Sequence, residues 1–515
     1  MATYKVNGKV AEAPAGDKLL PHLIDGGTHV PHYCWHRGLT PAGNCRMCLV
    51  KVSNSRKLEV ACMYPVSEGL EVTTEGPDVD AGRQAVLEYM LINHPLDCPV
   101  CDKAGECDLQ DNTFKYRNGH SRFDENKVIR HTKDLGPNVK IWGNRCISCT
   151  RCVRFTEEIT GTGELSIVNR GDHSVADVHP DVPLDNPMSL NVVDICPVGA
   201  LIDKNFLYQA RVWFSKKVPS VCTGCSRGCN ITGTVLHNQV KRLQPRENHD
   251  VNGFWMCDAG RLDHEWLSGT DRLRVTKGDA GDLARRLVAV RDRNGAGSVA
   301  MLISTAATVE ELHLAAKLAQ RVQAEVYFLG KVRGARWVSP SGFAIETDKT
   351  PNTRGALRVF ELDALPPASG VVDAIRAGRI KAVLSINGIH DADWPEGLVD
   401  LAPRLELAAA LDVCENDWTK VCGSVLPSAA WAEKSGTFVN RDGRLQRIQP
   451  IVAATGTAQP DVVWLQQMLI ELGERRTAIS AEGVLREALR GIDYRQIGQT
   501  GVVLDAPSAP AGVGK

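Results

Sequence analysis

The sequence contains no apolar run of the roughly 18–20 residues that a membrane-spanning helix needs. Its first residues, MATYKVNGKV, lack the apolar core of a secretory signal. Neither sign of charge is in excess: 60 Lys and Arg against 61 Asp and Glu give a formal net charge of −1. That balance offers no basic field for nucleic acid and no acidic surplus of the kind that keeps a chain unfolded. Nucleotide signatures are missing as well. There is no Walker loop, and the nearest approach to a dinucleotide fingerprint, Gly295, Gly297 and Ala300, precedes the strand-like VAMLI instead of following a strand. After residue 257 cysteine nearly disappears, with only Cys414 and Cys422. These absences leave a soluble protein of a reducing compartment, and 515 residues are enough for three or more domains.

What is abundant is cysteine in the first half, where 15 of the 17 fall. In a reducing space, cysteines at short spacing read as metal ligands before disulfides. They sort into four groups. Cys34, Cys45, Cys48 and Cys62 read C-x10-C-x2-C-x13-C; Cys98, Cys101 and Cys107 read C-x2-C-x5-C. Cys146, Cys149, Cys152 and Cys196 read C-x2-C-x2-C-x43-C; Cys222, Cys225, Cys229 and Cys257 read C-x2-C-x3-C-x27-C. Four tetra-ligated sites need one ligand more than the thiols supply, and the deficit falls in the second group. His94 stands just upstream of Cys98. Imidazole is a competent ligand to iron, so the count points to His94.

Zinc is the plain alternative for any such group. The third group argues against it. C-x2-C-x2-C with a remote Cys-Pro, here Cys196-Pro197, is the bacterial ferredoxin pattern, in which each triad borrows its fourth cysteine from a second motif. Here Thr156 stands where the first motif's own fourth cysteine would be. Asn186, Ser189 and Val192 stand where the second triad would be. One of two ancestral sites has lost all four thiols while the other keeps all four, a pattern without meaning for zinc. The first group suits a 2Fe–2S loop. Gly38 and Gly43 can let the backbone curl near inorganic sulfide. Short β-like runs surround it: TYKVNGKV, a hairpin about Gly8, then MCLVKV, LEVACM and LEVTT. A helix over DVDAGRQAVLEYMLINHP, with Val86, Leu87, Met90 and Leu91 at helical spacing, ends at His94-Pro95 and delivers the histidine to the second loop. Arg46, Arg145, Arg151 and Arg154 lie close in sequence to thiols, either tuning them or standing as solvated surface charges. A row of one-electron clusters in one chain makes sense as an electron relay whose ends are supplied by partners.

The stretches YCWHRGLTPAGNCRMCLVKV, NHPLDCPVCDKAGECDLQD, NRCISCTRCVRF and NVVDICPVGAL resemble the large iron–sulfur subunit of the peripheral arm of respiratory complex I, NADH:quinone oxidoreductase. The resemblance covers residues 1 to about 270. It implies one 2Fe–2S cluster on the first group and a 4Fe–4S cluster on Cys98, Cys101, Cys107 and the matching His94. It implies an all-cysteine 4Fe–4S cluster on the third group. The fourth group resembles an extra 4Fe–4S site of some bacterial members. Electrons would pass from a flavin- and NADH-binding subunit toward quinone. The partners would be that subunit and others of the peripheral arm, the membrane arm indirectly, and no nucleic acid. The place would be the cytoplasmic face of the bacterial inner membrane, peripherally.

Residues from about 271 resemble the molybdopterin oxidoreductase superfamily more loosely. SVAMLIS, AEVYFLG and IKAVLSING read as strands, Thr308 and Glu311 as a capping box, and 424–446 as a segment shared with that superfamily. The region is short for an active member, and Cys414 and Cys422 read as core residues, so no molybdopterin is expected. The fold expected is α+β and multidomain. A β-grasp 2Fe–2S ferredoxin domain takes 1–77, a helix with the histidine-ligated 4Fe–4S segment 78–120, and a ferredoxin-like 4Fe–4S domain 121–214. A fourth 4Fe–4S segment takes 215–270, a truncated, cofactor-free α/β domain 271–505 and a flexible tail 506–515. Two rivals stand beside this reading. One is the electron-input subunit of a soluble NAD-linked formate dehydrogenase or hydrogenase, whose catalytic region is not found after residue 257. The other is a zinc scaffold.

Overall fold

Asn7-Gly8 sets the first turn: φ values of 47° and 81° are the left-handed pair that a two-residue type I′ hairpin requires. Strand β1 (Ala2–Val6) thereby folds back on β2 (Lys9–Ala13), with Val6 facing Lys9. The computed structural model describes residues 1–116, 121–475 and 480–504. The tail expected over 506–515 lies outside the described residues. The chain divides into two compact units, Met1–Ser215 with Ser339–Phe343, and Lys216–Val338 with the remainder from Ala344. Its architecture is mixed α/β.

In the first unit β3 (Leu49–Val52), β4 (Glu59–Val60) and β5 (Glu71–Thr73) complete a five-stranded sheet of order β2-β1-β5-β3-β4. Only β1 and β5 run parallel. Helix α1 (Leu19–Asp25) buries Leu19, Leu20 and Leu23 among the inward residues of the sheet, such as Tyr4 and Val50. All four β-like runs of the sequence thus become strands of one β-grasp sheet. Helix α2 (Pro77–Leu91) starts on a proline and carries Asp78 and Asp80 at its positive end. Its apolar spacing pointed to Val86, Leu87, Met90 and Leu91. The line actually buried is Val79, Arg83 and Leu87. Arg83 displaces the apolar stripe because two of its three guanidinium nitrogens find partners inside. It donates to the Tyr116 hydroxyl at 2.9 Å and to the Leu49 carbonyl at 2.8 Å. Helix α3 (Asp108–Tyr116) follows the second thiol group.

The rest of this unit is built from short pieces. An antiparallel sheet of order β10-β7-β6 joins β6 (Thr132–Asp134), β7 (Val139–Trp142) and β10 (Leu201–Asp203). Helix α4 (Arg151–Arg154) runs into a π-helical stretch, Phe155–Thr160. β8 (Leu165–Val168) and β9 (Val175–Val178) form a hairpin, and α5 (Asn191–Ile195) ends at Cys196.

The second unit opens with an antiparallel meander, β11 (Lys216–Val221), β12 (Asn230–Leu236) and β13 (Gln239–Pro245), then α6 (Asp258–Leu262). Beyond helix α7 (Ala280–Asn294) lies a five-stranded parallel sheet. Its strands are β14 (Val299–Ser304) and β15 (Glu325–Leu329), then β18 (Ala382–Ile386), β19 (Leu407–Asp412) and β20 (Ser424–Pro427). The order is β15-β14-β18-β19-β20, and a hairpin of β16 (Trp337–Val338) and β17 (Ala344–Ile345) lies between in sequence. Every residue of β14 is buried, because both faces are covered. Met301 and Ile303 pack with α7, α8 (Val309–Val322) and the helix Asp461–Glu471. Ala300 and Leu302 pack with Val371, Ile375 and Trp418 on the other face. The capping box expected of Thr308 and Glu311 is present: Glu311 N–H donates to Thr308 Oγ1 at 3.2 Å and Thr308 N–H to the Glu311 carboxylate at 2.8 Å.

This core holds more acid than base. Glu310, Glu311, Asp412 and Asp461 are buried, with Lys434 bound to Glu311 at 2.7 Å. Burial, then repulsion by Glu311, pushes the Asp461 carboxyl up to about 7, against the pull of Lys434. Folded Asp461 therefore keeps a proton that the unfolded chain gives up near its ordinary value of about 3.9. Its stabilising contribution is complete below that value and is lost as pH rises toward 7. Denaturant titration of Asp461→Asn against the parent should show this dependence between pH 4 and 7 reduced by up to about 1.4 kcal/mol per pH unit. An unchanged pH profile would place the proton elsewhere.

Candidate functional site

The first thiol group sits in the loops that the β-grasp sheet holds together. Cys34, Cys45, Cys48 and Cys62 are all buried, Cys48 entering β3 and Cys62 leaving β4, and Ala61 N–H donates to the Cys48 carbonyl at 2.9 Å. Their sulfurs meet. Hydrogen bonds from Cys45 and Cys62 pull Cys34 down to about 2, and Cys62 also lowers Cys48, so Cys45 and Cys62 are raised in turn. Two of the four, Cys34 and Cys48, are biased toward thiolate, the form that binds metal, and Cys45 and Cys62 toward thiol. Gly43 takes the left-handed conformation expected of it (φ 65°), but Gly38 does not; inside the Cys45–Cys48 turn the left-handed residue is Arg46 (φ 56°). Non-glycine residues held there mark strain that a function repays.

Cys98, Cys101 and Cys107 occupy a single turn and loop ahead of α3, with Gly105 left-handed at φ 82°. Cys101 and Cys107 are buried and Cys98 is exposed. His94 comes at the exit of α2, its N–H on the Leu91 carbonyl at 3.2 Å. Its Nδ1 is buried without a hydrogen-bond partner, which costs free energy unless something binds there. Burial, then Arg145 and Lys127, bring its pKa down to about 4. The ring is neutral at physiological pH, as a metal-binding imidazole must be.

The third group surrounds a small cavity, about 20 Å³, lined by Cys146, Cys149, Cys152 and Cys196 with Ile141, Ile167 and Val198. Between its thiols, Ser148 and Thr150 are both left-handed (φ 51° and 62°), and Ser148 N–H donates to Cys146 Sγ at 3.4 Å. Successive N–H groups turned this way form a nest for an anion. Burial pushes the Cys149 thiol up to about 12 and raises Cys146 and Cys152. The positions that lost their cysteines are filled by polar bonding. The Asn186 amide donates to Glu164 at 2.9 Å, and the Thr156 carbonyl accepts from Thr162 N–H at 2.9 Å and Gly163 N–H at 3.1 Å. Thr156, Asn186, Ser189 and Val192 are all buried.

The fourth group lies in the second unit. Cys222 follows β11, Cys225 and Cys229 precede β12, and Cys257 caps α6, its sulfur accepting from Gly260 N–H at 3.4 Å. Gly224 N–H donates to Cys222 Sγ at 3.5 Å, and Gly228 is left-handed (φ 68°). A Cβ on Gly260 would stand 2.8 Å from Cys222 Sγ. Burial raises all four thiols.

Three groups share the first unit and touch. Arg154 Nη2 donates to the carbonyls of Cys34 (2.5 Å) and Cys149 (3.3 Å). Arg151 joins the Trp35 carbonyl (2.6 Å) to the Ile195 carbonyl (2.9 Å), and Asn44 donates to the Ser148 carbonyl at 3.2 Å. On the other side, Cys107 Sγ lies 3.8 Å from the Pro197 carbonyl, and a Cβ on Gly199 would fall 2.2 Å from Cys101 Sγ. The first and second groups meet through buried Tyr33, whose hydroxyl accepts from the Asn112 amide at 3.2 Å. Of the arginines singled out in the sequence, Arg46 is exposed, while Arg145, Arg151 and Arg154 are buried. Arg145 donates to Asp97 at 2.9 Å and stacks over Trp142. Sequence reasoning missed Tyr33 and Asn112, which nothing in spacing marks. Among the described residues no three His, Cys, Asp or Glu side chains meet the geometry of a single-ion site.

Family models match the chain in order. They are a 2Fe-2S iron-sulfur cluster binding domain (residues 1–77) and the NADH-ubiquinone oxidoreductase-G iron-sulfur binding region (83–122). Next come the NADH-quinone oxidoreductase subunit 3 ferredoxin-like domain (136–202), the molybdopterin oxidoreductase Fe4S4 domain (215–266) and molybdopterin oxidoreductase (354–472). The G subunit of NADH-quinone oxidoreductase from Rickettsia felis is 41% identical over 267 residues, 52% of this chain and 40% of that protein. The 78 kDa mitochondrial subunit of NADH-ubiquinone oxidoreductase from Neurospora crassa is 41% identical over 272 residues, 52% of this chain and 36% of that protein. The chain thus matches about two fifths of the length of these curated relatives. A crystal structure of an NAD+-reducing [NiFe]-hydrogenase in the H2-reduced state is 28% identical with a TM-score of 0.38, covering 41% of this chain and 91% of that one.

The close approach at Gly199 gives a test. Gly199→Ala forces a methyl against Cys101 Sγ, so whatever metal the second group binds should be disturbed, seen as a changed or lost spectroscopic signal with metal at the first and fourth groups retained. A wild-type spectrum would show that the loop yields freely.

Proposed function

We propose that this chain, whose N-terminal half is homologous to the G subunit of NADH-quinone oxidoreductase, is an electron-relay subunit of an NADH:quinone oxidoreductase. The observation that carries the reading is the contact among three thiol groups in one unit, with arginines and a glycine turn joining residues of one group to those of the next. A structural zinc site has no use for that adjacency; electron transfer between centres needs it.

The ligand sets proposed are Cys34, Cys45, Cys48 and Cys62 for a 2Fe–2S cluster, and His94, Cys98, Cys101 and Cys107 for a 4Fe–4S cluster. Cys146, Cys149, Cys152 and Cys196 hold a second 4Fe–4S cluster, and Cys222, Cys225, Cys229 and Cys257 a third. Each cluster, when bound, takes up and releases one electron. The residues do the rest. The buried thiols exclude water, the nests at Ser148 and Thr150 point N–H groups inward, and neutral His94 lends a lone pair. The third group touches both neighbours, and the first and second also meet at Tyr33 and Asn112. The domain boundaries follow the thiol groups: 1–77, 78–120, 121–214, 215–270 and 271–505.

Partners in this reading are a flavin- and NADH-binding subunit and its neighbours in the peripheral arm. No helix among the described residues is long and apolar enough to cross a membrane, which agrees with a peripheral place at the inner membrane. Residues 271–505 offer molybdopterin no thiol group: Cys414 and Cys422, each 1% exposed, lie outside the four groups and pack as core residues. Those residues are proposed as a scaffold. The rival reading, a formate dehydrogenase or hydrogenase input subunit, is not favoured by the names of the curated relatives.

EPR of the reduced protein with iron and sulfide quantitation should find one binuclear and three tetranuclear centres. His94→Cys should keep its cluster with an altered potential, and His94→Ala should weaken or lose it. An alanine variant with the parent spectrum would remove His94 from the ligand set, and an iron-free native protein would end the relay reading.

A further inference from the structure

Two guanidinium groups are sunk between the first and third thiol groups. Arg151 is 7% and Arg154 9% exposed. Burying a cation is costly unless an opposite charge compensates it. Yet every bond that either one makes is to a neutral acceptor. Arg154 uses the carbonyls of Thr40, Cys34 and Cys149 and the Thr150 hydroxyl. Arg151 uses the carbonyls of Trp35 and Ile195, and its buried Nε has no hydrogen-bond partner. The acid nearest by connection, Glu158, is bound by the N–H and hydroxyl of Thr40, not by a guanidinium. Carbonyls stabilise a cation only partly, so the compensating charge must come from elsewhere in the seam. What flanks the seam on both sides is a set of four thiols.

We propose that Arg151 and Arg154 are the shared counter-charges of the first and third centres, positioning residues that raise both reduction potentials together. This rests on the relay reading above. Each arginine spans the two groups: Arg154 through residues Cys34 and Cys149, Arg151 through the neighbours of Cys34 and Cys196. A positive charge fixed in a low-dielectric seam favours the added electron on either side. It also holds the two centres at one separation, because the planar fork fixes both loops at once. Lysine would supply the charge without the fork, and glutamine hydrogen bonds without the charge.

The test is an EPR-monitored redox titration of the full, cluster-loaded chain carrying Arg154→Gln or Arg154→Lys, with iron content measured alongside. In Arg154→Gln, iron should be unchanged while the binuclear signal and one of three tetranuclear signals both become harder to reduce. At the parent's midpoint potential the ratio of reduced to oxidised centre should fall roughly tenfold for each. The other two signals should stay, and Arg154→Lys should keep both midpoints near those of the parent. Intact iron with neither potential moved, only one moved, or all four moved overturns the proposal. Should Arg154→Gln lose iron, Arg151→Gln removes the same charge from the same seam, and parental midpoints there overturn it equally. A parent without iron refutes the relay reading itself, which is a separate result.

Discussion

A thiolate buried away from water must be matched by positive charge, and that constraint organises the N-terminal half of the chain. Burial alone pushes the thiols of the third and fourth groups up, toward the protonated form that does not bind metal. The fold meets this with N–H groups aimed at sulfur from Ser148, Gly224 and Gly260, and with left-handed residues that turn such groups inward. Ser148 and Thr150 hold that conformation without being glycine, at a cost of about 1–3 kcal/mol each. Such strain persists only where the surroundings fix it, and here the surroundings are the thiols themselves.

Much of this was legible because ligand chemistry leaves its mark in spacing. The four groups, the orphan His94 and the vacated positions Thr156, Asn186, Ser189 and Val192 follow from counting along the chain. The strands were legible from alternation and the Asn7-Gly8 turn. What the sequence hides is anything that depends on a partner far along it. Arg83 reads as the polar side of a helix, but Tyr116 and the Leu49 carbonyl draw it inside. Arg151 and Arg154 could equally have been solvated; only the seam makes them buried. The polar packing of Thr156 against Thr162 and of Asn186 against Glu164 likewise appears only once the π-helical stretch and the hairpin come together.

The second unit obeys a different economy. Its parallel sheet is covered on both faces, so local sequence shows runs of apolar residues and little else. The acids within it, Glu310, Glu311, Asp412 and Asp461, are satisfied by Thr437, Lys434, Asn387, Asn416 and Ser428. None of these partners is near in sequence to the acid it serves except Asn416. A buried polar network of this kind fixes one arrangement of the elements that supply it. That suits the scaffold proposed for residues 271–505, where Cys414 and Cys422 stand as core residues.

Order along the chain and order in space differ in the first unit, and the difference is physical. In sequence the groups run first, second, third. In space the third touches both others, because its thiols come from two distant segments. The segment Cys146–Arg154 packs against the loop that begins at Cys34, while the turn Cys196–Gly199 packs against Cys101 and Cys107. The long gap between Cys152 and Cys196 is what lets one centre have two such faces. A motif with all four thiols on one loop would present a single ligand-bearing segment to its neighbours. Borrowing the fourth ligand from afar, an arrangement inherited from a two-site ferredoxin pattern, makes the surviving site a junction. In the relay proposed above, the junction keeps contact on both sides through its own thiols even though the companion site is lost.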